Sequence, residues 1–197
     1  MKKGLLTICA AAALLCGCSA VTIDRDGTAV ISEANVKISL PENWDIYTGS
    51  DIYEKTYSRT DGSYGSADEM KKALEENGER YIVYAVAPDE SALALFSAQS
   101  PGDTFVSAEE LARSTHNSTV FDFRANDFFT ESSLTEETLG GVSGWLSDIK
   151  VFEKEGEPVL LEQREFLFES GENVYSLKTF TDPVNLEQTA AIGISAK

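Results

Sequence analysis

The chain of 197 residues carries 33 acidic and 16 basic side chains, which gives a formal charge of -17. Hydrophobic residues make up 42% of the sequence and aromatic residues 10%, enough for a packed core, so a disordered acidic tail is excluded. This length is typical of one domain or at most two. The acidity argues against nucleic acid as a partner, because phosphate binding requires a basic surface.

The N-terminus has the organisation of a lipoprotein signal peptide. Two lysines precede an uncharged apolar run, residues 5–15. The run is shorter than the roughly 20 apolar residues of a membrane-spanning helix. The segment Leu15-Cys16-Gly17-Cys18 resembles a bacterial lipobox, in which small residues precede a cysteine whose thiol accepts a diacylglycerol. We expect residues 1–17 to be a signal peptide and Cys18 to be the lipidated N-terminus. An ordinary secretory signal or a buried N-terminal helix is the alternative.

Lipid on Cys18 would anchor the protein in the cell envelope, on the extracytoplasmic side of a bacterial membrane. The sequence does not distinguish the inner membrane from the outer membrane. Residues 18–20 would form a short tether, since strand-like sequence begins at Val21. Residues 1–17 contain two lysines and no acid, so the chain from Cys18 onwards has a formal charge of -19. It retains one of the three cysteines and the single histidine. We therefore expect no disulfide, no metal site and no cofactor.

The rest of the chain, residues 21–197, contains no linker-like or repetitive stretch, and we expect it to form a single domain. Two short apolar runs around Asp24-Arg-Asp-Gly27 predict a hairpin over residues 21–31. Apolar residues alternate with polar ones from Val36 to Leu40, which predicts a half-buried strand. The pattern Ser66-Ala-Asp-Glu69 is a capping box and predicts a helix over about residues 67–77.

Two strands with mostly apolar faces follow, Tyr81–Ala87 and Ala92–Ala98, and we expect them to be neighbours inside a sheet. A second capping box, Ser107 to Glu110, predicts a short helix that ends at about Thr115. After a polar stretch, three runs predict an antiparallel meander: residues 142–152, 159–168 and 173–181.

The C-terminal segment, residues 183–196, is ambiguous. Asp182-Pro183 favours a helix start, and Leu186, Ala190 and Ile194 are spaced by four residues. We expect a helix, although Ile192 and Ile194 also alternate as they would in a strand.

Strands that follow strands predict a mainly antiparallel sheet with helices packed on it, which is the α+β class. The segment Val36-Lys-Ile-Ser-Leu-Pro-Glu-Asn-Trp44 resembles the entry strand and Pro-x-x-Trp of PsbP-like domains. The capped helix at Ser107 and the strand Glu172–Leu177 are also similar to that family, so the resemblance covers most of residues 30–197. It implies a PsbP-like α/β/α sandwich and transfers no catalytic residue.

The candidate catalytic and metal-binding groups are few. His116 could serve a Ser-His-Asp relay with Ser114 or Ser118, but no nucleophile-elbow pattern surrounds a serine, and we expect an exposed histidine at a helix end. The segment from Asp24 to Gly27 lacks the spacing of an EF-hand calcium loop, which favours a turn. Gly140-Gly-Val-Ser-Gly144 lacks the lysine of a phosphate-binding loop, so we interpret it as a flexible entry into a strand.

Four tyrosines follow Trp44 among small polar residues. Tyr47, Tyr53, Tyr57 and Tyr64 are the candidate ligand-binding residues, because flat amphipathic rings in such a context are typical of adaptable binding surfaces. If they bind a ligand, we expect at least two of the rings to be largely exposed in one patch. The alternative is a loop whose rings lie on the core with their hydroxyls in water.

Two functions fit these observations. The first is a membrane-tethered, non-catalytic binding or assembly module with an envelope protein or a glycan as its partner. The second is an extracytoplasmic hydrolase that cuts glycan or peptide with a pair of carboxylates. Two carboxylates converging in a deep pocket would favour the hydrolase, whereas a convex surface with a tyrosine patch would favour the binding module.

Overall fold

The computed structural model describes residues 21–59, 62–102, 107–182 and 189–197. The segment predicted to be a signal peptide, the predicted lipidation site Cys18 and the predicted helix start after Asp182 lie outside the described residues. The strands are β1 (Val21–Ile23), β2 (Thr28–Ile31), β3 (Val36–Ser39), β4 (Asp45–Thr48), β5 (Glu79–Val86), β6 (Ala92–Gln99), β7 (Phe129–Leu139), β8 (Val142–Phe152), β9 (Val159–Ser170), β10 (Asn173–Thr181) and β11 (Gly193–Ala196). The helices are α1 (Asp51–Tyr57), α2 (Ala67–Glu76) and α3 (Ala108–Ala125).

Two antiparallel sheets form the framework, which confirms the α+β class. The large sheet has seven strands in the order β4-β5-β6-β10-β9-β8-β7, and the small sheet has the order β1-β2-β3-β11. The three helices pack on one face of the large sheet. On its other face, apolar side chains of both sheets form the main core, among them Ile31, Ile38, Phe96, Phe168 and Tyr175. The large sheet is therefore covered on both faces, as the two-sided apolar pattern of its middle strands predicts.

Most of the predicted elements are confirmed. The hairpin joins β1 to β2, with Val21 opposite Ile31, and the Ser66 hydroxyl caps α2 by accepting a hydrogen bond from the amide of Glu69. Strands β5 and β6 are paired neighbours inside the sheet, and β8, β9 and β10 form the meander. The meander and the strands β4, β5 and β6 belong to one sheet because β10 pairs with β6.

The glycine pair at residues 140–141 leads into strand β8, as expected, and does so through a tight turn. Leu139 lies opposite Val142, which leaves two residues in the turn between β7 and β8. Both glycines have positive φ angles, 55° and 85°, which suits the primed turns of two-residue hairpins. A Cβ atom at Gly140 would also collide with the carbonyl oxygen of Ile194.

The second helix prediction has the right start and the wrong end. The Ser107 hydroxyl accepts a hydrogen bond from the amide of Glu110, as the capping box predicts, but α3 continues ten residues beyond Thr115 to Ala125. The polar stretch that follows, for which no element was predicted, contains the edge strand β7. Contacts with β7, β8 and β9 stabilise the second half of α3, which its polar sequence alone does not favour.

The C-terminal helix prediction is wrong for residues 193–196. They form β11, which pairs with β3 and directs the buried side chain of Ile194 into the main core. The alternation of Ile192 and Ile194 was the correct signal for this segment, because pairing with β3 satisfies its backbone. Residues 189–190 are helical.

Candidate ligand site on the helical face

The helical face of the large sheet leaves a gap over its two middle strands. Helices α1 and α2 pack on β5, whereas α3 packs on β7, β8 and β9. Strands β6 and β10 lie between these two groups of contacts. A cavity of about 190 Å³ is present there, lined by β5, β6, β9, β10 and α3, and we call it the central cavity. Its polar lining residues are Glu79, Tyr81, Ser97, Gln99, Thr115, Glu165, Ser176 and Lys178.

A buried ion pair forms one wall of the central cavity. Glu165 of β9 lies opposite Lys178 of β10, and its residue surface is only 4% exposed. One carboxylate oxygen of Glu165 accepts a hydrogen bond of 2.7 Å from the Ser176 hydroxyl, and the other lies 3.3 Å from the Lys178 ammonium nitrogen. Both oxygens of this carboxylate therefore have partners within the protein.

The opposite wall carries polar groups without partners. In the register, Glu79 of β5 lies opposite Gln99 of β6, and Tyr81 lies opposite Ser97. Ser97 is only 9% exposed, yet within the described part of the chain its hydroxyl forms no hydrogen bond. The carboxylate of Glu79 likewise has no hydrogen bond or ion pair there. Unpartnered polar groups are costly when buried, so this wall is suited to a bound molecule or to water.

The electrostatics of the central cavity follow from its burial. Desolvation raises the pKa of Glu79 above its ordinary value, the Lys178 ammonium opposes this effect, and the Glu165 carboxylate adds to it. Burial also raises the pKa of the Tyr81 hydroxyl, and the charge of Glu79 raises it further. Tyr81 is therefore neutral at physiological pH, while Glu79 is held in an environment that penalises its charged form.

The structure brings three of the four candidate tyrosines together and separates the fourth. Tyr53, Tyr57 and Tyr64 pack with Tyr81 and the buried side chains of α2, forming what we call the tyrosine cluster. Tyr47 lies instead in β4 opposite Tyr84, with the Lys55 ammonium 5.1 Å from its ring centroid.

The condition set for a binding surface, at least two largely exposed rings in one patch, is not met, and the rings lie on the core as in the alternative. The stretch from Trp44 to Tyr64 contains β4 and α1, and Tyr53 is 6% exposed while the other three rings are half-buried. Tyr53 stacks on Tyr81 with 5.7 Å between ring centroids, and its hydroxyl accepts a hydrogen bond of 3.3 Å from the Tyr81 amide. These rings fix α1 and α2 to β5. Their role in ligand binding stays a prediction.

His116 does not lie exposed at a helix end, as the sequence led us to expect. It lies in the middle of α3, half-buried, with its Nδ1 atom 2.8 Å from the Ser147 hydroxyl of β8. Desolvation lowers the pKa of this imidazole. Ser147 is only 1% exposed, so no substrate can reach its hydroxyl in this arrangement. The pair joins α3 to the sheet.

Sequence reasoning missed the residues of the central cavity. Glu165 follows the polar run Glu162-Gln-Arg164, and Lys178 lies between Leu177 and Thr179, so neither residue stands out in the sequence of its strand. Their convergence depends on the pairing of β9, β10 and β6, which is set by contacts between distant parts of the chain.

The described residues contain neither a metal-binding group nor a membrane-spanning helix. No group of three or more His, Cys, Asp or Glu side chains there is placed to hold a metal ion. None of the helices in those ranges combines the length and the apolar character needed to cross a membrane.

Comparison with known proteins identifies the fold. No protein-family profile and no curated protein sequence matches the chain. The solution structure of cyanobacterial PsbP (CyanoP) from Synechocystis sp. PCC 6803 is similar, with a TM-score of 0.51 and 11% identity over 90% of this chain and 92% of that chain. A crystal structure from Bacteroides thetaiotaomicron VPI-5482 has a TM-score of 0.38 and 13% identity over 90% of this chain and 48% of that chain, which is too weak to indicate a shared fold. The chain therefore has the PsbP-like fold that its sequence predicts.

Proposed function

We propose that the chain is a membrane-tethered, non-catalytic binding module that holds a small ligand in the central cavity. The observation that carries this proposal is a cavity lined by the hydroxyl of the buried residue Ser97 and the carboxylate of the half-buried Glu79, which have no hydrogen-bond or ion-pair partners in the described residues. A bound molecule that satisfied both groups would stabilise the folded state by mass action. The PsbP-like fold supports a binding role without identifying a ligand.

The chemistry of the available side chains favours binding over catalysis. A nucleophilic serine needs access to substrate, and Ser147, the partner of His116, is almost completely buried. Glu165 has both oxygens engaged with Ser176 and Lys178, which disfavours it as a proton acceptor or a nucleophile. At about 190 Å³ the cavity is also smaller than the roughly 300–1,000 Å³ of typical ligand pockets, so a small molecule suits it better than a glycan or a peptide chain.

The tether is the second part of the proposal. Lipid on Cys18 would anchor the module at the extracytoplasmic side of a bacterial membrane. Strand β1 begins at Val21, three residues after this cysteine. Three extended residues span at most roughly 10 Å, so the folded part would lie next to the bilayer. Its negative charge would keep the surface from adhering to anionic headgroups.

Two measurements on the protein in its own cells test this proposal. Cys18→Ala should release the protein from membranes or leave the precursor uncleaved, and an unmodified, cleaved thiol in the intact mass would contradict the tether. Protein purified from its own membranes should also release a stoichiometric small molecule on denaturation, detected by mass spectrometry. The absence of any released molecule would contradict the binding role.

One observation favours the alternative function, a hydrolase with paired carboxylates. Glu79 and Glu165 line the same cavity, and the raised pKa of Glu79 is a property of general acids. Turnover of cell-wall glycan or peptide fragments by the wild type, abolished by Glu79→Gln and by Glu165→Gln, would establish the hydrolase. We expect no turnover.

A further inference from the structure

We infer that the central cavity takes a small organic cation, bound through a protonated amine. The inference rests on the proposed binding function and specifies the chemical class of the ligand. It depends on three features of the cavity: its unbalanced charge, the arrangement of its acceptors, and its size.

The charges that line the central cavity do not cancel. Glu79, Glu165 and Lys178 are its charged lining residues. The Lys178 ammonium lies 3.3 Å from Glu165, so these two charges compensate each other. The negative charge of Glu79 remains without an ion pair in the described residues. Partial burial penalises this charge, and a bound monocation would compensate it.

The neighbouring acceptors match the donors of an ammonium group. A protonated primary amine has three N–H donors and no acceptor. Glu79 lies opposite Gln99 in the register, and Ser97 lies two residues from Gln99 on the same face of β6. A carboxylate oxygen, an amide oxygen and a hydroxyl oxygen are thus available on adjacent positions of two paired strands. The half-buried ring of Tyr81 lines the same wall and adds a face that attracts cations.

Other ligand classes fit these residues less well. An anion would meet the uncompensated carboxylate of Glu79. A divalent metal would need several ligands of suitable type, and the described part of the chain provides no such group. The volume of about 190 Å³ corresponds to roughly six water molecules at about 30 Å³ each, which limits the ligand to a small molecule or to the amine end of a longer one.

The experiment is a titration of the folded protein with three probes of equal length: n-butylammonium, n-butanol and n-butyrate. Amide NMR shifts of β5 and β6 report the binding, at a constant ionic strength adjusted with potassium chloride. We expect saturable binding of n-butylammonium alone, with shifts centred on Glu79, Ser97 and Gln99. Glu79→Gln keeps the shape of the side chain and should weaken binding about tenfold or more, the loss expected for a charge-assisted hydrogen bond.

Two further variants complete the design. Ser97→Ala removes one acceptor and should weaken n-butylammonium binding by a smaller factor, which provides a second reading if Glu79→Gln perturbs the fold. Glu157→Gln removes an equal charge from an exposed turn and should leave the affinity unchanged.

The outcomes separate this inference from the proposed function. Equal affinity of the wild type and Glu79→Gln for n-butylammonium, or no saturable binding of it, would overturn the cation inference. Binding of n-butanol or n-butyrate in place of n-butylammonium would overturn it as well while leaving a binding cavity intact. The small molecule released from the native protein tests the binding function independently of these probes.

Discussion

Glu165 of β9 and Lys178 of β10 face each other across two paired strands, with 3.3 Å between a carboxylate oxygen and the ammonium nitrogen. The carboxylate is almost fully buried, whereas the lysine side chain is 27% exposed. Such a pair contributes little net stability relative to apolar residues, but a buried charge that loses its partner is strongly destabilising. Replacing only one member of the pair is therefore expected to destabilise the fold more than replacing both.

The first prediction compares the loss of one member of this ion pair with the loss of both. Lys178→Met should lower the free energy of unfolding by about 3 kcal/mol, the lower end of the range for a broken buried pair, because Glu165 remains charged without its counter-charge. The double variant Glu165→Gln, Lys178→Met should lose less than the single variant. Urea denaturation measures both, and Lys154→Met serves as the exposed control. A double variant no more stable than Lys178→Met would contradict the prediction.

The second prediction follows from the raised pKa of Glu79. Below its ordinary pKa of 4.5 the carboxyl is protonated in both folded and unfolded chains. As the pH rises from 4.5 towards the raised folded pKa, the unfolded chain loses this proton first, so the free energy of unfolding decreases. Ligand-free Glu79→Gln should therefore gain stability relative to the wild type over this pH range.

Denaturation curves at a series of pH values check this difference. Ser97→Ala serves as the control, because it alters the same wall of the cavity without removing a charge. A difference between the wild type and Glu79→Gln that stays constant with pH would show that burial does not perturb this carboxyl.

The third prediction concerns His116, whose contribution to stability should increase with pH, opposite to that of Glu79. Desolvation lowers the pKa of its imidazole, so below the ordinary value of 6.5 the unfolded chain binds a proton more readily than the folded chain. Stability contributed by the neutral imidazole is present above 6.5 and is lost as the pH falls. His116→Asn keeps a polar atom near Ser147 and does not titrate, so it should become more stable relative to the wild type on acidification. Denaturation of the wild type and of His116→Asn at pH values above and below 6.5 measures this difference. A difference in unfolding free energy that does not change with pH would refute the prediction.

The fourth prediction separates packing from binding in the tyrosine cluster. Tyr53→Ala should lower the free energy of unfolding by about 3–4 kcal/mol, because it removes a buried ring stacked on Tyr81. Tyr53→Phe should lose only about 1 kcal/mol, the value of the hydrogen bond to the Tyr81 amide. Melting curves measure both. A loss below 1 kcal/mol for Tyr53→Ala would restore the interpretation of this ring as a binding surface.

Tyr84 provides the matched contrast. Its hydroxyl is buried and has no hydrogen-bond partner in the described residues, and burial raises its pKa. Tyr84→Phe should therefore be neutral or stabilising, although the same change at Tyr53 is destabilising. A clear loss of stability in Tyr84→Phe would show that this hydroxyl has a partner in solution.

The elements predicted correctly are those specified by short-range signals. Ser66 and Ser107 define the starts of α2 and α3, because a capping box lies within four residues. Strands with apolar faces and short connections were predicted because their signals also lie within a few residues. The second half of α3 and the strand β11 depend on contacts with distant strands, and their sequences are ambiguous without those contacts.

The candidate site was predicted poorly because it depends on strand order. The tyrosines are close in sequence, which suggested a common site, but three of them lie in the tyrosine cluster against β5 and Tyr47 lies apart in β4. Glu79 and Glu165 are 86 positions apart in sequence and converge only because β10 lies between β6 and β9. The pairing of β10 with β6 was not predicted, so the cavity could not be located.

The central claim is that the cavity between β5 and α3 is the ligand site. Its most direct test is a high-resolution crystal structure of the protein purified from its own membranes. We predict electron density for a small molecule in the central cavity, in contact with the carboxylate of Glu79 and the hydroxyl of Ser97. A cavity that holds only ordered water, or a bound molecule at another place on the surface, would contradict the claim.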